Sequence, residues 1–382
     1  MSHRARLFAG ILFVVLFALP IYAVSPLPFC QEQSGPETNG SVYLICPAAN
    51  PNADLVIFAH GFVSPDEPVG IPYNQLLLPD GTSIPGLIAQ LGMSFAATSY
   101  PVNGLAIVEG VDDVKHLATY FKTHYGSPNR VLLTGVSEGG LVVAKAIESA
   151  PGDFSGGLAA CGPVGDFRYQ ISYFMDVRVI FDYFFPGVIP GSAIDIPDNV
   201  RRNFTACTTA GCVVPYGAQV YAALVGNPSK TVQLLKVTGV PTGPDPAKSI
   251  IDVLWYNVTA TNNAIAKLGG NPYDNRFRFY FGSNNDLLLN LKVHRFNADN
   301  AALQAIAAGY QTTGKLKIPL VTLHTTGDNV VPFVHELLYG GKVVLNGSLN
   351  NYVGLPVVRY GHCNFTPTEA VIGIGALLAK TK

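Results

Sequence analysis

The sequence predicts an α/β fold: a mostly parallel central sheet, helices on both of its faces, and one large, mainly helical insertion. Three observations predict it. Up to residue 165, short apolar runs that read as buried strands alternate with stretches of helical spacing. The same rhythm returns after residue 315. Between them, residues 166–314 change character, becoming rich in aromatic residues and in Asn, Pro and Gly, with helical patterns near 167–185 and 215–236.

Residues 1–23 read as a signal peptide, with His3, Arg4 and Arg6, an apolar run from Leu7 to Leu19, Pro20, and the small residue Ala23 before the cleavage point. That run is shorter than the ~20 residues of a spanning helix, so a secreted or periplasmic product without a stable membrane span is expected, an uncleaved anchor being the rival. Residues 24–165 form the first part of the sheet domain. VYLIC at 42–46, DLVIFA at 54–59, SFAATS at 94–99 and VLLT at 131–134 are its strands. A helix over Ile107–Tyr125 carries Val108, Val111, Val114, Leu117, Ala118 and Phe121 at helical spacing, with Asp112 and Asp113 on a solvated face. In the insertion, Tyr169, Tyr173, Val177 and Phe181 recur every fourth residue and give one apolar face, for packing on the sheet domain or for roofing a pocket. Residues 315–382 complete the sheet domain with strands at 317–323 and 355–359. Its last helix opens on a capping box from Thr366 to Glu369, with Pro367 in the first turn.

Composition narrows the function. Charged residues are 13% of 382 and the formal net charge is −1, against about 25% charged in ordinary soluble domains. No basic patch is available, which excludes nucleic acid as a partner. The six cysteines form an even set beyond the signal segment, as in an oxidising compartment. Cys207 and Cys212 are the easiest pair, Cys30 and Cys46 the next, and Cys161 and Cys363 remain. No CxxC and no histidine at ligand spacing supports a metal site, and no cofactor is implied. Sequons begin at Asn39, Asn203, Asn257, Asn346 and Asn364.

The chemistry concentrates in four short stretches. In GVSEGG, residues 135–140, Ser137 stands on a corner between a strand and a helix. A serine hydroxyl is a poor nucleophile unless a base, an orienting acid and oxyanion donors surround it, and a corner of this kind exposes it while aiming a helix N-terminus at it. Gly135 and Gly139 leave room for the turn. FAHGF, residues 58–62, ends an upstream strand in His60 and Gly61; the N–H groups of Phe62 and Glu138 are candidate oxyanion donors. LHTTGDNVVP, residues 323–332, places Asp328 after a later strand, and RYGHCNF, residues 359–365, places His362 after the last. Each polar residue follows its strand's C-terminal end, the edge where open parallel sheets build their sites.

In this order the motifs resemble the α/β-hydrolase superfamily, over most of the chain outside the insertion. The resemblance implies Ser137 as nucleophile, His362 as acid and base, Asp328 as its orienter, and residues 166–314 as a lid after the sixth strand. His60 is then a support of the oxyanion loop, and Asp286 in SNNDLLL is the rival acid. His116, His124, His324 and His335 read as fillers or surface residues. Tannase and feruloyl-esterase relatives carry a cysteine beside both the serine and the histidine; here Cys363 follows His362, but Val136 precedes Ser137, so half of that signature is missing. A bond between Cys161 and Cys363 near the site is the alternative, against which stands the strand expected between them. The function expected is hydrolysis of a small-molecule or lipid-like carboxylic ester. A peptidase or amidase of the same superfamily is the alternative, and a non-catalytic binding protein on the same scaffold a remoter one.

Overall fold

A computed structural model describes residues 29–50 and 52–381; the signal segment lies outside them. The strands are β1 (Gln31–Gln33), β2 (Tyr43–Cys46), β3 (Leu55–Ala59), β4 (Ser94–Thr98), β5 (Val131–Val136), β6 (Gly156–Ala160), β7 (Leu320–Gly327) and β8 (Tyr352–Tyr360). They form one sheet in the order β1-β2-β4-β3-β5-β6-β7-β8. β1–β2 and β2–β4 pair antiparallel, and from β4 to β8 every pair is parallel. This is the α/β-hydrolase fold.

The helices are α1 (Ile84–Gln90), α2 (Ile107–His124), α3 (Glu138–Ser149), α4 (Phe167–Phe184), α5 (Asp198–Arg202), α6 (Tyr216–Gly226), α7 (Pro228–Thr238), α8 (Pro246–Leu268), α9 (Asp286–Lys292), α10 (Asn300–Ala305), α11 (Val334–Leu345) and α12 (Pro367–Lys380). Alternation along the strands divides the core. Tyr43, Ile45, Leu55 and Ile57 meet α2 and α3 on one face, while Leu44, Val56, Phe58 and Phe95 meet α1 and α12 on the other. Burying each such side chain contributes about 1.5–3 kcal/mol. Helices α4 to α10 all lie between β6 and β7 and extend the first of these cores.

One strand leaves no trace in the periodicity, and one residue departs from its expected place, each for a physical reason. β6, GGLAA, has no propensity signal, because its residues are small to admit neighbours. A Cβ on Gly157 would sit 2.7 Å from Ile147 of α3, and one on Gly156 2.9 Å from Leu377 of α12. Asp113 is not solvated: it is 1% exposed and accepts hydrogen bonds from Ser41 at 2.9 Å, Tyr43 at 3.1 Å and the Thr98 hydroxyl. Burial raises its pKa, and these three donors oppose the rise. The carboxyl pins α2 to β2 and β4 instead of facing water.

Candidate active site

Ser137 occupies the corner between β5 and α3 with φ 56° and ψ −123°, a left-handed conformation that costs a residue with a Cβ about 1–3 kcal/mol. The surroundings leave little alternative. The Ser137 N–H donates to Ala160 O at 2.9 Å, fixing the corner to β6. A Cβ on Gly135 would lie 2.5 Å from Gly139 O, one on Gly140 2.8 Å from Ala160 O, and one on Gly139 would collide with Ala59 O. Gly61 passes so close that its Cβ would be 3.0 Å from Ser137 Cβ. The GVSEGG run is therefore required by main chains packed without side chains between them.

The three separated motifs meet here. His362 Nε2 is 2.8 Å from Ser137 Oγ, and His362 Nδ1 is 2.7 Å from Asp328 Oδ2. Asp328 is fully buried; the N–H groups of Val330 and Val331 each donate to its Oδ1 at 2.9 Å. Burial pushes its pKa up, but the charges and hydrogen bonds of His362 and His324 together outweigh that and hold the carboxyl well below the usual range. An ionised Asp328 fixes the His362 tautomer: Nδ1 carries its proton toward the acid, and Nε2 is free to accept from Ser137.

Facing Ser137, the N–H of Glu138 opens α3 and has no partner within the helix. The loop that carries Phe62 is gripped by Gln75, whose Oε1 accepts from Gly61 N at 2.6 Å and whose Nε2 donates to Phe62 O at 3.2 Å. His60 lies behind the loop. Its Nδ1 donates to Gly61 O at 2.6 Å and its ring stacks on Tyr100 at 4.0 Å, while burial lowers its pKa. Glu138 is buried beside Ser137, and burial pushes its pKa up to about 8 although Ala106 N donates to it at 2.7 Å.

A cavity of about 90 Å³ adjoins Ser137, lined by Phe62, Ile171, Phe174, Met175, Tyr256 and Val331 among others. Its wall on α4 is the Phe167–Ile171–Phe174 face, so of the two uses expected for the stripe of Tyr169, Tyr173, Val177 and Phe181, packing is the one found and roofing this cavity is not. In that stripe the last three residues are buried in packing and Tyr169 is exposed. The insertion also holds the acid turn: Gln170 Nε2 donates to Val330 O at 2.9 Å, Tyr173 OH to Asn329 O at 2.7 Å, and Asn329 Nδ2 to Ser249 O of α8 at 3.2 Å.

Other candidates fall elsewhere. Asp286 is the first residue of α9 and binds the N–H and hydroxyl of Ser283 at 2.7 and 2.6 Å, so it is not brought to Ser137. His116 meets Tyr43 OH at 2.7 Å, and His124 lies on the surface against Glu37. His335 accepts from the N–H groups of Gly165 and Asp166 at the start of the insertion. The cysteines pair as Cys30–Cys46, Cys207–Cys212 and Cys161–Cys363. Cys161, His362 and Cys363 cluster closely enough to hold a metal, but both sulfurs are engaged in the last of these bonds. Gln75, His324 and Glu336 also belong to the surroundings of the site. Nothing local marks them, since each matters only through a contact made by folding.

The sheet order, with Ser137, Asp328 and His362 following strand ends, gives the chain the architecture of an α/β-hydrolase. No family model matches the sequence, and no curated protein matches it. Among solved structures it is similar to Pyrococcus horikoshii acylaminoacyl peptidase, at 12% identity over 84% of this chain and 35% of that one, with a TM-score of 0.40. It is also similar to a Pyrococcus furiosus esterase, at 12% identity over 90% and 86% of the two chains and a TM-score of 0.44. A membrane phospholipase A described as a bacterial virulence factor shows 14% identity over 92% and 87%, with a TM-score of 0.44. The chain spans about a third of the length of the peptidase it matches. Among the described residues, no helix is long and apolar enough to cross a membrane.

Proposed function

We propose that the protein is a serine hydrolase that cleaves carboxylic esters through an acyl-enzyme. The observation that carries this reading is the continuous hydrogen-bonded chain from Ser137 through His362 to Asp328, 2.8 and 2.7 Å in its two links. Ser137 Oγ attacks the ester carbonyl carbon as His362 Nε2 takes its proton. The oxyanion is held by the N–H groups of Phe62 and Glu138, and the collapsing intermediate expels the alcohol, protonated by His362. Water, deprotonated by His362, then attacks the acyl carbon and releases the acid and Ser137. The aromatic and aliphatic lining of the adjoining cavity favours an apolar acyl group over a charged one. On this reading the insertion at 166–314 is a lid between catalytic segments 24–165 and 315–382. The three disulfides fit an exported enzyme that sheds residues 1–23.

The test is labelling of the mature protein with a fluorophosphonate, comparing wild type with Ser137→Ala and mapping the modified peptide, followed by turnover of matched p-nitrophenyl esters and anilides. Labelling at Ser137 that disappears in the variant, with turnover of esters far above anilides, is the expected result. Absence of labelling in folded protein, small probes included, overturns the triad. Faster turnover of anilides overturns the ester assignment alone.

A further inference from the structure

Behind Asp328, on the side away from Ser137, lies a histidine that the mechanism above does not use. His324 of β7 is fully buried. Its Nδ1 is 3.1 Å from Glu336 Oε1, and its Nε2 is 2.9 Å from Val331 O and 3.5 Å from Asp328 Oδ2. A carbonyl cannot donate, and Asp328 accepts from Val330, Val331 and His362. Glu336 Oε2 receives the hydroxyls of Thr322 at 2.5 Å and Tyr352 at 3.2 Å, so that oxygen is an acceptor as well. With Glu336 ionised, both ring nitrogens of His324 face acceptors, and each carries a proton. A buried histidine that merely fills space needs only one.

We propose that His324 is a positioning residue for the catalytic acid: an imidazolium wedged between Asp328 and Glu336 that keeps Asp328 ionised, with Oδ2 turned to His362. The proposal rests on the triad reading above. Without the wedge, no cation would stand between the Asp328 and Glu336 carboxylates, which both face the ring. Burial disfavours charge on His324, but the hydrogen bonds and charges of Asp328 and Glu336 push its pKa up to about 10. The other groups around it are accounted for. His335 on α11 is kept neutral, because its Nδ1 accepts two backbone N–H groups and burial pushes its pKa down to about 3. Tyr352 of β8 donates to Glu336, Tyr173 of α4 donates to Asn329 O, and the Phe333 ring stands edge-on at 5.8 Å. His362 lies on the far side of Asp328.

The experiment compares wild type with His324→Gln, Glu336→Gln and the double variant, each checked for native folding by circular dichroism, in ester turnover against pH. Removing the cation makes the Asp328–His362 pair hold a proton more readily, so His324→Gln is expected to move the acid limb of kcat/KM to higher pH. It should also lower kcat at least about tenfold with little change in KM. Glu336→Gln removes a negative charge and is expected to move that limb the opposite way, and the double variant to return it toward wild type. A shift of both single variants in one direction, or of neither, overturns the proposal. Should the variants not fold, nitrogen-15 NMR of the wild-type imidazoles near pH 8 decides. One histidine with both nitrogens protonated, well above the ordinary value of about 6.5, is expected, and only neutral rings would overturn it. Fluorophosphonate labelling of wild type separates the two levels: labelled enzyme with unmoved profiles refutes the role of His324 alone, and unlabelled enzyme refutes the triad with it.

Discussion

Cys161, one residue past β6, and Cys363, one residue past His362, are joined with their Cα atoms 5.4 Å apart, although β7 lies between their strands. The turn after β8 folds back far enough because Gly361 at φ 102° and Cys363 at φ 49° both take left-handed conformations, as does Cys161 at φ 46°. The bond thus anchors the segment that carries the imidazole.

Replacing both cysteines by serine is expected to lower stability by up to about 5 kcal/mol, since the bond closes a loop of some 200 residues. It should also cut kcat about tenfold by loosening His362. Urea titration and ester turnover measure the two effects. A loss of stability with unchanged kcat would reduce the bond to a general brace.

Asp328→Asn keeps the shape of the buried acid and removes its charge. Turnover is expected to fall by about 10⁴ with KM little altered, because the His362 tautomer that accepts from Ser137 loses its support. Steady-state kinetics check this, and a loss under tenfold would argue for another orienting group.

Gln75 grips both sides of the Gly61–Phe62 peptide unit, so Gln75→Ala is expected to lower kcat by about 10–10² through the oxyanion loop. The melting temperature should drop only slightly. Gln75→Glu keeps an acceptor for Gly61 N, loses the donor to Phe62 O, and should fall between. Equal loss of kcat and of thermal stability in both variants would point to folding alone.

Glu138 has a folded pKa of about 8, raised by burial from an ordinary 4.5. The native state therefore binds more protons than the unfolded one between these values, and stability falls as pH rises across that window. Glu138→Gln removes the slope while keeping the backbone N–H. The variant is expected to gain relative to wild type from pH 4.5 to 8, by a few kcal/mol at most, in denaturant melts at several pH values. A constant difference across the window would contradict a neutral, buried Glu138.

Much of the architecture is legible because strands β2 to β5 are continuous apolar runs and α2 has one clean apolar stripe; buried parallel strands and surface helices impose those patterns. Ser137, Asp328 and His362 could be picked out because each follows a strand end in a short turn with its own glycine. β6 was invisible because close packing against α3 and α12 demands glycine and alanine where propensity demands branched residues. Asp113 read as solvated because a helical wheel shows spacing and not the hydroxyls waiting on β2 and β4. Gln75, His324 and Glu336 owe their place to contacts across 12 or more residues of sequence, and a single sequence carries no trace of such pairings.

The hydrogen bonds from Gln170 and Tyr173 to the main chain of Val330 and Asn329 give the insertion a second duty. A cover hinged away from the sheet in one swing would take α4 with it, and the turn carrying Asp328 would be released at the moment a substrate arrived. Admission and competence are thereby bound together. The cavity at Ser137 is also walled by Leu105 before α2 and by Tyr256, Asn257 and Ala260 of α8, so a substrate admitted with α4 seated is expected to be selected along those walls and not at the root of the insertion.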